Sequence, residues 1–422
     1  MQKELEQFFD RLFPINRSLT GDGNRESLKI LSEVVDLQIY EVPSGTKCFD
    51  WIVPPEWNVK EAWIKDSSGK KIVDFKDLNL HLLGYSVPFH GQMSLNELKP
   101  HLFSIPEMPE SVPYLTSYYK ERWGFCLKHS QLLELKNDTY EVLIDSELNK
   151  NGTMTYGEAF IKGESDEEIL FSTYICHPSL ANNELSGPLV TSFIYKSLKG
   201  RKLRYSYRFL FLPETIGAIY YLSKYGKSLK DHLIAGFVVT TIGDNGQFTY
   251  KRSRIGNSLP DRAVELVLNE TEKEFIIEDF FPNGSDERQY CSPGFNLPVG
   301  SLMRTRYGKY KEYHTSDDNK SFISFEAMQK SVEKYIGVVD VIEKNRIYIN
   351  QSPFCEPQLG KRGLYPTLGS QKEVQEYVDA TLWLLNLTDG TNDLITISKQ
   401  SKINFNLLTI ISEKLLKHGL IR

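Results

Sequence analysis

Apolar positions divide the chain into stretches of different periodicity. The run Ile169-Leu170-Phe171-Ser172-Thr173-Tyr174-Ile175 reads as a buried strand, Tyr207–Leu212 as a second and Ile234–Ile242 as a third. Between them Leu189, Val190, Phe193, Ile194 and Leu198 mark a helix opened by Pro188, and Ile219, Leu222 and Tyr225 mark another. Strands alternating with helices predict a mostly parallel sheet covered on both faces. Residues 140–144 and 153–160 read as an antiparallel pair preceding it, and Phe322–Glu343 as a long amphipathic helix closing it.

The flanks have other patterns. Phe8, Phe9, Leu12 and Phe13 form one helical stripe, and Leu28, Leu31 and Val35 resume it after a break at 14–23. That break reads as a capped turn between helices rather than as part of a site. From Pro43 to about Lys136, short alternating segments such as 61–65 and 71–75 are separated by turn residues, which predicts a small β-rich module. Trp51, Trp57 and Trp63 are assigned to its core. Ser352–Ser370 is rich in Pro and Gly and reads as a connector. Beyond it, Ile397–Ile403 and Phe405–His418 have the outline of a helix-turn-helix or winged helix.

Composition narrows the function classes. A chain of 422 residues with 40% hydrophobic and 25% charged residues can build two or three domains with a sizeable core. A net charge of −5 argues against a general nucleic-acid binder. Residues 371–422 carry balanced positive and negative charges, which favours an intramolecular or protein-docking role over nucleic-acid binding. The five cysteines are widely spaced with no CxxC pair, so neither a zinc ribbon nor a disulfide framework is indicated. The N-terminus lacks a signal-peptide apolar core and no stretch is long enough to span a bilayer. The expectation is a soluble, cytoplasmic protein without a membrane partner; a homo-oligomer is compatible with its size.

Each buried strand delivers a polar residue at its carboxyl end: His177, Glu214 and Asp244. Two further polar loops hold Ser285-Asp286-Glu287-Arg288 and Tyr313-His314-Thr315. Imidazole and carboxylate suit Zn²⁺, and a catalytic site keeps one position open for water. Spacing alone allows such a site without requiring it, because no HExxH-type helix is present. Arg304 and Arg306 are candidates to bind a substrate carboxylate, or else form surface ion pairs.

In order, CHPSLANNELSGP (176–188), PETIG (213–217), GD (243–244), SDERQY (285–290) and YHTSDDN (313–319) resemble a bacterial family with a zinc-aminopeptidase-like domain. RSLTGDG (17–23), ERWGFC (121–126) and CEPQLGKRGLYP (355–366) match it as well, so the resemblance spans nearly the whole chain. It implies an α/β fold, a mixed sheet with helices on both faces, formed by residues 1–42 and 137–350. It further implies a β-rich domain inserted at 43–136, a linker and winged-helix-like domain at 351–422, and a link to polysaccharide biosynthesis. It places His177, Asn183, Asp244 and His314 as metal ligands, Glu214 as the catalytic base and Asp286 near the substrate. Asn183 stands where a metal-bridging Asp is usual, Thr215 where a second Glu is usual, and Ser179 where an Asp usually buttresses the first histidine. These departures imply one zinc ion rather than two, with Glu184 or Glu214 open to recruitment as a ligand.

The implied activity is zinc-dependent hydrolysis of an amide or peptide bond in a small peptide or amino-acid conjugate. The alternatives are a deacylase or cyclase-type enzyme acting on an amino sugar, or a non-catalytic binding protein that retains the fold. In the last case His177 and His314 merely hydrogen-bond in a vestigial cleft.

Overall fold

The structure, a computed structural model, describes residues 1–364 and 371–422. The last two residues of the CEPQLGKRGLYP stretch and the end of the predicted connector lie outside the described residues.

The main sheet has eight strands: β1 (Gln38–Pro43), β2 (Thr153–Ile161), β3 (Glu168–Tyr174), β4 (Ser206–Leu212), β5 (Leu233–Val238), β6 (Phe248–Lys251), β7 (Phe275–Glu278) and β8 (Val299–Met303). Their order is β1-β2-β4-β3-β5-β8-β6-β7. The four middle strands, β4-β3-β5-β8, run parallel, while β2 is antiparallel to β4 and β6 to β8. Every residue of β3 is buried, as a strand covered on both faces requires. After β3 the chain passes through helix Ser186–Leu198 to β4 on one side, then through helix Ile216–His232 to β5 on the other. This reversal makes the carboxyl end of β3 a topological switch point, where open α/β sheets form a crevice.

The helix after β3 begins earlier than Pro188. Ala181–Leu185 forms a π-helical turn that runs straight into Ser186–Leu198, so most of the stretch between β3 and Pro188 is helical. Pro188 brings no N–H to this turn. The carbonyl five residues before it, on Asn183, accepts instead from Tyr174 Oη at 2.8 Å and Thr240 Oγ1 at 3.1 Å. Gly187 lets the helix approach the sheet closely: a Cβ there would lie 2.4 Å from the Val239 carbonyl and 2.5 Å from Thr173 Oγ1.

The predicted antiparallel pairing of 140–144 with 153–160 does not occur. Thr139–Asn149 pairs with Glu56–Lys65 and Phe89–Ser94 in a separate four-stranded antiparallel sheet, whereas 153–161 is β2 of the main sheet. Glu56 holds the crossover, accepting the Thr153 N–H at 2.7 Å while its side chain packs on Gly152. Trp57 and Trp63 are buried as expected, but Trp51 is exposed, edge-on to Tyr119.

Glu56 also takes a two-pronged hydrogen bond from Arg25, at 2.7 and 2.8 Å. Chiefly through that guanidinium, and against the cost of burial, its pKa falls from an ordinary 4.5 to about 2. A depressed carboxylate stabilises the fold above its unfolded pKa, and this contribution is lost as pH falls through the folded value. Glu56→Gln should therefore lower the urea midpoint near neutral pH, by about 1–2 kcal/mol of stability after solvent screening. The gap from wild type should close near pH 2; an equal gap at both pH values would disprove the assignment.

The chain divides into two compact units, residues 1–258 with 274–335, and residues 259–273 with 336–422. The second contains helices Gln371–Leu387, Leu394–Ser401 and Phe405–Lys417, plus a two-stranded ribbon of Ile347–Ile349 with Asp389–Asp393. Asp393 caps the middle helix through the Thr396 N–H at 2.9 Å and pairs with Arg262 at 2.7 Å. Three helices and a ribbon give the winged helix expected from the sequence. No helix among the described residues is long and apolar enough to cross a membrane.

Candidate functional site

The site is built where β3 and β4 end side by side. Beyond β3, the backbone N–H of His177 donates to Glu184 Oε2, and His177 Nδ1 lies 3.0 Å from the same oxygen. Glu184 Oε1 accepts from Arg17 Nε at 2.8 Å, and both charged side chains are fully buried. The other ring nitrogen of His177, Nε2, lies 3.7 Å from Glu214 Oε2. Burial opposes charging of the His177 ring, but the hydrogen bond and charge of Glu184, with Glu214, outweigh it and raise its pKa.

His314 faces His177, with ring centroids 5.6 Å apart. Burial, and then the charge of His177, lower the His314 pKa to about 3, so the ring is neutral. His314 has a left-handed backbone, φ +57°, and its ring stacks on Tyr313 at 3.9 Å. Its Nε2 is buried without a hydrogen-bond partner among the described residues. So are both side-chain polar atoms of Asn183. Orphaned buried polar atoms are costly, and two of these, the imidazole nitrogen and the amide oxygen, are atom types that a metal ion can take up. The π-helical turn carrying Asn183 is fixed by Asp318, whose carboxylate accepts the backbone N–H of Asn182 at 2.6 Å and of Asn183 at 2.9 Å.

Glu214 follows β4, and its backbone N–H points at Cys176 Sγ, 3.2 Å away. The next residue, Thr215, has φ +65°, an outlier for a β-branched side chain. This conformation is held from both sides: Asp286 Oδ1 accepts the Thr215 N–H at 2.7 Å, and Arg288 Nη2 donates to Thr215 Oγ1 at 3.0 Å. Burial raises the pKa of Glu214, opposed by His177 and Arg288. Burial and the neighbouring Glu214 carboxylate push Asp286 well up. Asp286 thus braces the backbone beside Glu214 through Oδ1. Beneath the same loop, Lys251 and Glu287 form a fully buried ion pair at 2.6 Å.

Three of the residues singled out from the sequence are committed elsewhere. Asp244 was expected as a ligand, but its oxygens accept from Asn182 Nδ2, Gly246 N, Thr305 N and Thr305 Oγ1 at 2.6–3.1 Å. It braces loops after β5 and β8 and has no oxygen to spare. Arg304 is buried, donating to Ser331 Oγ and to the carbonyls of Gly246 and Ala327. Arg306 pairs with Glu278 at 2.8 Å. The Arg304 guanidinium is thus engaged within the protein, and Arg306 forms an ion pair.

Conversely, Arg17, Arg288, Asp318 and Tyr114 belong to the site and were not selected from the sequence. The first three lie in segments already noted for their pattern, so that signal was present. Tyr114 comes from the β-rich stretch and gave none. Its ring lies 5.0 Å from that of His177 and 5.2 Å from that of His314, and its N–H donates to the His314 carbonyl at 2.8 Å.

Comparison with known proteins agrees with this architecture. A family model described as a domain of unknown function, DUF4910, matches residues 6–345, and a winged helix-turn-helix model matches residues 346–422. A Clostridium acetobutylicum protein, described as a candidate polysaccharide biosynthesis protein with an aminopeptidase-like domain, is 48% identical over 419 residues, covering 99% of this chain and 96% of that one. The crystal structure of a candidate peptidase from Clostridium acetobutylicum superposes with a TM-score of 0.93 at 46% identity, covering 100% of this chain and 96% of the other. A zinc aminopeptidase from Bacillus subtilis shares the fold with a TM-score of 0.58 at 10% identity, over 81% of this chain and 94% of the other. With a family model over most of its length and a near-full-length relative, the chain belongs to the DUF4910 family, an aminopeptidase-like fold followed by a winged helix-turn-helix.

Proposed function

We propose that the cleft at the ends of β3 and β4 hydrolyses an amide or peptide bond with the help of one zinc ion. The observation that carries this reading is the orphaned His314 Nε2, buried against His177, which in turn lies beside Glu214; the Asn183 amide, on the π-helical turn that follows β3, is orphaned as well. His177 Nε2, Asn183 Oδ1 and His314 Nε2 are the atoms that would hold the metal. Bound zinc lowers the pKa of water toward neutrality and polarises a carbonyl oxygen. Glu214 takes a proton from the attacking water as its oxygen bonds to the carbonyl carbon. When the C–N bond breaks, Glu214 returns that proton to the leaving nitrogen, which gives a carboxylic acid and an amine. Desolvation, which raises the Glu214 pKa, brings it nearer the working pH of a proton carrier. Asp286 holds the backbone of Thr215 and Arg288 its hydroxyl, and together they hold Glu214 in place.

The description of the Clostridium relative favours a second substrate class for the same chemistry, the N-acyl group of an amino sugar. Small peptides and amino-acid conjugates are the first class.

The test is the metal content of protein purified without chelator or histidine tag. Wild type is expected to hold about one zinc per chain, and His177→Ala/His314→Ala to lose it. Two metals per chain would overturn the single-ion reading. No metal, even after adding zinc, would overturn the hydrolase and leave a binding protein.

A further inference from the structure

We infer that Arg17 and Glu184 form a positioning pair that decides which nitrogen of His177 faces the metal. This rests on the reading of the cleft as a metal centre.

The Glu184 carboxylate can only accept hydrogen bonds. Its Oε2 serves both the backbone N–H and Nδ1 of His177, so the hydrogen on the neutral ring must sit on Nδ1. Nε2 is then left with its lone pair, turned toward Glu214. Arg17 completes the arrangement. Its Nε holds Glu184 Oε1 at 2.8 Å, its Nη2 donates to the His177 carbonyl at 3.2 Å, and its Nη1 donates to the Leu12 carbonyl at 2.5 Å. The guanidinium thus grips both the carboxylate and the backbone of the histidine that the carboxylate orients. A second-sphere carboxylate of this kind fixes the tautomer and makes the opposite nitrogen a better ligand.

The same geometry decides what Glu184 is not. Cys176, His177 and Glu184 place three ligand-type atoms within 4.8 Å of one another. Both Glu184 oxygens are already engaged, so Glu184 supports the ligand and does not join it. Arg17 lies in the break between the first two helices, read from sequence as a simple capped turn; its side chain reaches a site 160 residues further along the chain.

Two readouts test the pair. The ring ¹⁵N shifts of His177 in metal-free protein, assigned by their loss in His177→Ala, report the tautomer directly once the pH is raised until they no longer change and the ring is neutral. The hydrogen is expected on Nδ1; finding it on Nε2 would overturn the proposal. Zinc affinity is measured by competition with a chromophoric chelator for wild type, Arg17→Lys and Arg17→Met/Glu184→Gln, with a thermal melt to show folding. The double variant removes both charges together, so no unpaired charge stays buried. It is expected to bind zinc about 10–100-fold more weakly while folded, with Arg17→Lys in between. Unchanged affinity in the folded double variant would overturn the pair. If wild type binds no zinc, the metal reading itself fails, and the ring shifts alone then judge whether Glu184 sets the tautomer.

Discussion

Glu214→Gln is expected to lower turnover by about 10²–10⁴-fold, the range for removing a general base, while zinc content stays at the wild-type level. Gln keeps the shape and the hydrogen-bonding reach of Glu but cannot take a proton. Glu214 approaches His177 Nε2 only to 3.7 Å, and its place is set by the backbone clamp on Thr215 more than by its own side-chain bonds. The substitution should therefore leave the fold and the metal ligands intact. Steady-state kinetics on aminoacyl and N-acyl amide substrates, run beside metal analysis, check both halves. Zinc lost together with turnover would make Glu214 a ligand. Turnover retained with zinc in place would remove Glu214 from proton transfer and shift that role elsewhere in the cleft.

The largest stability loss is expected from Phe171→Ala. Phe171 is fully buried in the central strand β3, with its ring 5.4 Å from Phe209, 5.5 Å from Phe237 and 5.7 Å from Tyr335. Truncation removes the apolar transfer energy of the ring and leaves a cavity between parallel strands whose backbones are held on both sides. A cost of about 3–5 kcal/mol follows. A urea melt reads it, and Phe171→Leu, which fills more of the space, should cost clearly less. Equal losses for the two variants would mean that ring–ring geometry, not filled volume, dominates here. β3 also delivers Cys176 and His177 to the cleft, so the Ala variant should weaken zinc binding before it unfolds the protein.

Hydrophobic periodicity along the chain was sufficient to find β3, β4 and β5, and hence to place His177 and Glu214 at strand carboxyl ends. A strand buried on both faces must be apolar throughout, and its end is marked by the first run of polar or turn residues. The winged helix was legible for a similar reason: helix spacing and an Asp or Asn at each cap are local signals, and Asp393 and Asn404 cap as such residues do.

Strand partners and side-chain commitments were decided only in three dimensions. Alternation says which face of Thr139–Asn149 is buried, but nothing in it says that this strand leaves β2 for a different sheet; Glu56 at the crossover decides that. Charge and residue type made Asp244 and Arg304 look available. Hydrogen-bond valence is finite, and neighbours distant in sequence had already taken up theirs. The reverse holds for Arg17, which read as a turn residue, and Tyr114, which gave no signal, until the fold carried them to His177. Sequence alone determined which elements form and which chemical groups stand at their ends. Tertiary structure decided which of those groups remain unpaired in the cleft, because pairing depends on distances that no local pattern encodes.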